Sequence, residues 1–328
     1  MSLNTPRRWY RRNPPPSPGS VLLAPLGALW AAVTARKIAT AHPLDPPIPV
    51  ICVGNLTVGG TGKTPIVRAL AKTLDAHVLS RGHGGSLKGP VRVDPAVHTS
   101  AEVGDEPLML AEDLTVWIAR DRAAGVLAAA QGGAKVIVMD DGHQNPSVRK
   151  SLSLIVVDGE TRDGEWPFGD GAVFPAGPMR EPLTAGMARA DAVVLLLPAD
   201  LPAPDPDLIA VFGEAPVLIA RLEPAGPPPA GPLAAFAGIG KPWKFERALK
   251  AAGGQVAVFT AFPDHAPYDG AGLAVLAAGA RAAGASLVTT EKDWIRLPAD
   301  WRGKVVAWPV RARFEDEAAL ERLLRPVR

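Results

Sequence analysis

The 328-residue sequence predicts an α/β fold, a parallel sheet with helices on both faces, followed by a second, smaller α/β lobe. Three observations carry this expectation. Short apolar β-type runs alternate with helical stretches from Val50 to Leu197. One of them, Ile48-Pro49-Val50-Ile51-Cys52-Val53, feeds a glycine-rich turn, Thr57-Val58-Gly59-Gly60-Thr61-Gly62-Lys63-Thr64. Proline and glycine then crowd residues 201–232, after which a new strand-and-helix series begins.

The strand runs of the first series are residues 50–53, 77–79, 116–119, 136–139, 154–157 and 192–197. The proline-rich segment, densest at Glu223-Pro224-Ala225-Gly226-Pro227-Pro228-Pro229, reads as a joint. Beyond it come strands at 234–237, 256–259, 286–289 and 305–309, with helices at 244–252 and 272–283. The expected division is 1–45 for an N-terminal helix, 46–200 for the core, 201–232 for the linker and 233–328 for the second lobe. Two lobes on such a joint imply a cleft that closes.

Bulk composition narrows the function classes. With 47% hydrophobic residues the chain can build a core for each lobe. Lys and Arg number 35 against 33 Asp and Glu, a net charge of +2 that gives no sign of a nucleic-acid partner. The one cysteine, Cys52, allows no disulfide framework and suits a reducing cytoplasm.

Charge is unevenly placed. Arg7, Arg8, Arg11, Arg12, Arg36 and Lys37 all precede the first acid, Asp45. Between them, residues 21–35 are apolar or small, with Leu22, Leu26, Leu29, Trp30 and Val33 near helical spacing. The run falls short of the roughly 20 residues a spanning helix needs, and it carries Pro25 and Gly27. No cleavage site of small residues follows. It is either a core helix or an amphipathic helix on an anionic membrane surface, and the pattern alone favours the core.

The glycine-rich turn has the layout of a phosphate-binding P-loop: buried strand, turn, then a helix opening at Lys63-Thr64-Pro65. Main-chain amides wrap the phosphates, the helix N-terminus adds partial positive charge, and Lys63 reaches the terminal phosphates. Thr64 is placed to ligate a phosphate-bound Mg²⁺. Thr57 stands where the usual pattern has glycine, so a bare strand-to-helix turn is the alternative.

Lys135-Val136-Ile137-Val138-Met139-Asp140-Asp141 is a strand ending in two carboxylates, the arrangement that holds magnesium beside a P-loop. A turn or helix cap is the plainer reading. Asp105, in Gly104-Asp105-Glu106-Pro107, is by local sequence a helix cap, with a base for an acceptor hydroxyl as the other possibility. His265, in Phe262-Pro263-Asp264-His265, either shuttles a proton or merely decorates a loop. Arg81, Arg122 and Arg180 lie on loops after strands, where they suit a phosphorylated substrate or simply meet solvent. Guanine recognition by Asn-Lys-x-Asp is absent; Thr290-Glu291-Lys292-Asp293 has the wrong order.

In their order along the chain, residues 53–65, 80–85, 104–107, 140–144, 175–182, 262–265 and 288–293 resemble the tetraacyldisaccharide 4'-kinase family, the lipid A kinases of Gram-negative bacteria. The threonine that opens the P-loop is itself a trait of that family. The resemblance implies a P-loop NTPase-like core and transfer of the γ-phosphate of ATP to the 4'-hydroxyl of a tetraacylated glucosamine disaccharide 1-phosphate. It implies that Asp105 takes the hydroxyl proton in a dyad with His265, and that Lys63 and Arg180 neutralise the transferred group. Thr57 to Thr64 would hold ATP, and Thr64, Glu106, Asp140 and Asp141 would surround Mg²⁺. Arg81, His83, Arg122, Gln144 and the basic N-terminus would meet the lipid, at the cytoplasmic face of the inner membrane and without an obligate protein partner. On this reading residues 21–35 dip among lipids. His83, His143 and Ala266 depart from the pattern, which usually has tyrosine, phenylalanine and histidine there. A soluble P-loop kinase or ligase for a small metabolite, or a nucleotide switch, would explain the loop but not the apolar, basic N-terminus.

Overall fold

The computed structural model describes residues 6–15 and 17–327. Its spine is β1 (Val50–Gly54), every residue of which is buried. Around it the strands β2 (His77–Ser80), β3 (Val91–Arg92), β4 (Val116–Ile118), β5 (Ile137–Asp140), β6 (Leu152–Asp158), β7 (Ala192–Pro198), β8 (Val217–Pro224) and β13 (Val310–Phe314) form one sheet. Their order is β13-β8-β7-β6-β1-β5-β2-β4-β3. All pairings are parallel except at the two edges, where β3 and β13 run antiparallel to their neighbours. The inner strands are continuous apolar runs because helices cover both faces. On one face lie the helices Lys63–Leu74 and Glu317–Leu324, burying Ile66, Val67, Leu70 and Leu320. On the other lie Arg122–Gln131 and Leu183–Met187.

The second lobe is a parallel sheet of β9 (Pro232–Ala237), β10 (Gln255–Ala261), β11 (Ser286–Thr289) and β12 (Val306–Ala307), in the order β10-β9-β11-β12. Helices Pro242–Ala251 and Gly270–Ala282 pack its two faces.

The drawn boundaries differ from this structure. Residues 201–232 hold a helix, Pro206–Ala210, and the whole of β8, a strand of the first sheet. The chain also returns: β13 and the helix after it belong to the first lobe, not the second. Proline at the end of β8 masked its apolar half, and the alternating arginines of β13 are those of a solvent-facing edge strand. The second lobe is thus an insertion between β8 and β13, tethered by two chain crossings.

The N-terminal helix is Pro18–Ala39, 22 residues, capped by the Ser17 hydroxyl on the Ser20 amide. It extends past the predicted apolar run and contains Pro25 without ending there. It seats on the loop before β7 at one stripe. A Cβ on Gly27 would lie 2.6 Å from the Val173 carbonyl oxygen, so only glycine permits this approach. Ser20 Oγ donates to the Ala176 carbonyl at 2.9 Å, and Trp30 Nε1 to the Arg180 carbonyl at 3.1 Å. Most of its apolar surface nevertheless faces outward. Val21, Leu22, Leu26, Leu29, Trp30 and Val33 are exposed, and of the helix only Gly27 is buried. A core helix would show the opposite. By length and composition, with mean hydropathy 1.5, this helix could cross a membrane.

Candidate active site

The glycine-rich loop is shaped by glycines and by bonds to its carbonyls. Gly62, φ 78°, begins the helix Lys63–Leu74 in a left-handed conformation, and a Cβ there would strike Leu196 at 2.4 Å. Asn55 Nδ2 (2.7 Å) and Arg180 Nε (3.0 Å) donate to the Thr57 carbonyl, and the Val58 amide donates to Pro178. Thr57 itself is buried and bridges to Met179. Among the described residues, the amides of Gly59, Gly60, Thr61 and Gly62 donate to no protein acceptor. Together with the N-terminus of the helix they form a cradle for anions.

Lys63 Nζ lies 3.1 Å from Asn55 Oδ1 and 3.4 Å from Asp141 Oδ1. Arg180 Nη1 meets the same Asp141 oxygen at 2.6 Å. Burial alone would raise the Asp141 carboxyl, but Lys63 and Arg180 outweigh it and hold it well below the usual range. Its neighbour behaves in the opposite way. Asp140 is buried, its Oδ1 has no partner, and burial and then Glu106 push its carboxyl up to about 7. Glu106 is kept ionised against burial by Lys292 and Lys63. Among the described residues no group of three or more His, Cys, Asp or Glu is gathered as a ready-made metal cage. A phosphate-bound magnesium ion needs only one or two carboxylates, however. An orphaned aspartate oxygen beside a crowd of carboxylates is what such a cation would relieve.

At the seam of the lobes, His265 Nδ1 lies 3.0 Å from Asp105 Oδ2, across 160 residues of sequence. Lys292 Nζ is 3.3 Å from His265 Nε2 and 3.0 Å from Glu106 Oε1. An ammonium can only donate, so Nε2 accepts and Nδ1 carries the proton donated to Asp105. The backbone of His265 (φ 58°) and of Asp141 (φ 53°) is left-handed, uncommon for residues with a Cβ and a pattern that gathers at functional sites. Asp105 does begin a helix, Asp105–Ala111, yet makes no cap bond there.

Several predicted ligands sit elsewhere. Arg122 is 2% exposed, and its guanidinium serves the carbonyls of Ala119 and Asp140. It braces the end of β5 and cannot reach a lipid. Gln144 donates to the Asn55 carbonyl and to Glu181, so it props the P-loop from beneath. Arg81 and His83 are exposed as expected, and His83 stands edge-on to His265 with ring centroids 6.3 Å apart. His143 is buried between Ser153 Oγ and the Gly186 carbonyl, and burial pushes its imidazole down to about 4. It is a neutral core residue. The Ala266 carbonyl accepts from Arg296, which also approaches Asp105.

A cleft of about 490 Å³ opens between the lobes, lined by Gly60, Thr64, Glu106 and Leu196 of the first lobe and by Phe245 and Trp308 beyond β8. A clasp of the two lobes forms part of its wall: Asp158 is held by Lys241 (2.9 Å) and Lys244 (2.7 Å), both on the second lobe. Sequence reading passed over this clasp, along with Asn55 and Arg296. Asp158 ends a strand beside the P-loop, which was the available signal.

The family model for tetraacyldisaccharide-1-P 4'-kinase matches residues 19–328. A tetraacyldisaccharide 4'-kinase of Phenylobacterium zucineum is 70% identical over 322 residues, covering 98% of each chain. One from Caulobacter vibrioides is 62% identical over 333 residues, covering 100% of this chain and 99% of its own. Among solved structures, the "apo" form of LpxK from Aquifex aeolicus in complex with ATP superposes with a TM-score of 0.72. It is 27% identical and covers 94% of this chain and 99% of its own.

Proposed function

The chain belongs to the tetraacyldisaccharide-1-P 4'-kinase family, and from that premise we propose how its residues carry out the transfer. It is a kinase of lipid A biosynthesis that uses ATP to phosphorylate the 4'-hydroxyl of the tetraacylated disaccharide 1-phosphate. The amides of residues 59–62 and the helix N-terminus hold the triphosphate, with Lys63 facing its terminal groups. The apolar lining of the cleft, at Phe245 and Trp308, receives the nucleoside. Asp105, oriented by the His265 Nδ1 proton, accepts the proton of the 4'-hydroxyl as its oxygen bonds to the γ-phosphorus. The bond from that phosphorus to the bridging oxygen breaks, and ADP leaves. Arg180 stands ready to share the charge of the transferred group. Glu106, Asp140 and Thr64 would hold magnesium, with Asp141 beside them; the ion would neutralise phosphate charge.

The observation that carries this reading is the pairing of Asp105 with His265 beside the cleft that the P-loop lines, whose wall includes their neighbours Glu106 and Asp264. Arg81 and His83, the latter against the His265 ring, would face the sugar head group. The lipid itself must come from a bilayer, and the N-terminal helix is apolar on nearly every exposed side. We place it in the cytoplasmic face of the inner membrane, tethered to the enzyme at the Gly27 stripe. Transfer of labelled phosphate from ATP to the disaccharide lipid tests the function. Retained ATP binding without transfer would overturn it.

A further inference from the structure

The segment before the N-terminal helix is short, basic and aromatic, and it packs against the body of the protein. Arg7–Tyr10 forms a 3₁₀ turn, and the residues after it lie along the first lobe. Arg11 bridges to Glu165, the Trp166 amide donates to the Tyr10 carbonyl, and the Arg12 amide donates to Gly164. Arg12 lies over the Trp166 ring and pairs with Asp205 and Asp207. Toward the second lobe, the Arg7 guanidinium sits 3.9 Å from the ring centroid of Trp243, and Lys241 Nζ sits 5.2 Å from that of Tyr10. Trp243 and Lys241 also reach Glu165. The strap thus touches both lobes at the clasp.

Its most telling contact is with the P-loop. The Tyr10 hydroxyl donates to the Val58 carbonyl. A peptide unit is planar and trans, so its carbonyl and the next N–H point in opposite directions. Fixing the Val58 carbonyl outward therefore aims the Gly59 N–H inward, as the first amide of the cradle. The carbonyl before it, Thr57, is held the same way by Asn55 and Arg180. Glycine at 59 (φ 89°) would otherwise let this peptide rotate more freely.

We propose that Tyr10 is a positioning residue for nucleotide binding: through the Val58 carbonyl it sets the first phosphate-facing peptide, and through Lys241 and the Arg7–Trp243 contact the strap seats the second lobe beside it. The inference rests on the nucleotide reading of the loop. It also gives residues 7–12 a task separate from lipid contact, although six basic residues near the helix suggest a membrane anchor alone.

The test is Tyr10→Phe, which removes the hydroxyl and keeps the ring. Direct binding of a fluorescent ATP analogue should weaken about fivefold, the change expected for one neutral hydrogen bond. The KM for ATP should rise by a similar factor, while kcat, the KM for the lipid and the nucleotide-free melting temperature stay near parent values. A merely structural role would move the melting temperature and leave the ATP terms alone. Arg7→Gln, at an exposed position, should weaken ATP binding about twofold. Removing residues 1–16, which keeps the Ser17 cap and the helix, should weaken ATP binding at least as much as Tyr10→Phe without changing flotation on vesicles of anionic phospholipid. Parent-like ATP affinity in Tyr10→Phe overturns the proposal; should that variant not fold, parent-like affinity in Arg7→Gln does. If the parent itself binds no ATP, it is the nucleotide reading that fails.

Discussion

The nucleotide half and the acceptor half of this site are built in different ways. The P-loop follows a strand whose residues are all buried, and it leads straight into a helix on the same sheet. Its props, Asn55, Arg180 and Pro178, come from the same lobe. The acceptor half joins Asp105 of one lobe to His265 of the other, and their side chains keep 14% and 37% of their surface. Holding phosphates calls for a preformed cage. Taking a proton from a bulky lipid head calls for a mouth that can open, and partial exposure follows from that.

If the cage is preformed, Lys63→Ala should be the most damaging single change, lowering kcat/KM by about 10²–10³-fold, in the range seen when one charge-stabilising group is lost. A smaller loss than that of Asp105→Ala would reverse the ranking of the two halves. Asp158→Asn leaves Lys241 and Lys244 without their shared anion, and should cost about 3 kcal/mol in denaturant unfolding, with a rise in the KM for ATP. An unchanged unfolding curve would mean that the clasp does not hold the lobes. Replacing Leu22 and Leu29 by serine should lower flotation with anionic vesicles about tenfold while ATP binding stays intact. Equal flotation would return the apolar helix to a role in protein contact.

The clasp also sets the smallest expected effect, that of pH. Burial by itself would raise the Asp158 carboxyl, but Lys244 and Lys241 hold it below its ordinary value of 3.8. A carboxyl depressed on folding contributes stability that is fully present above the unfolded value and lost as pH falls through the folded one. An interlobe distance measured by energy transfer should therefore stay constant from about pH 8 to 5 and lengthen only below about pH 4. Lengthening near neutrality would point to a different latch.

The same division explains what the sequence revealed. Strand, loop and helix of the nucleotide half are contiguous, so spacing alone disclosed them. The magnesium candidates Asp140 and Asp141 were visible as a pair, but their opposite environments were not, because Glu106, Lys63 and Arg180 approach from distant segments. Arg122 and Gln144 misled because long polar side chains serve buried carbonyls as readily as ligands. Strand β8 hid behind prolines, and β13 behind a return across the whole second lobe. Tyr10 gave no local signal at all; its partner Val58 lies 48 residues away.

The central claim is that Asp105 and His265 act as one unit across the seam. Single-turnover phosphate transfer by Asp105→Ala, His265→Ala and the double variant, with ATP binding measured alongside, tests it directly. The account predicts a fall of about 10²-fold or more for Asp105→Ala at unchanged ATP affinity, and a double variant little slower than the worse single one. Losses that multiply, or a defect confined to the KM for ATP, would contradict it.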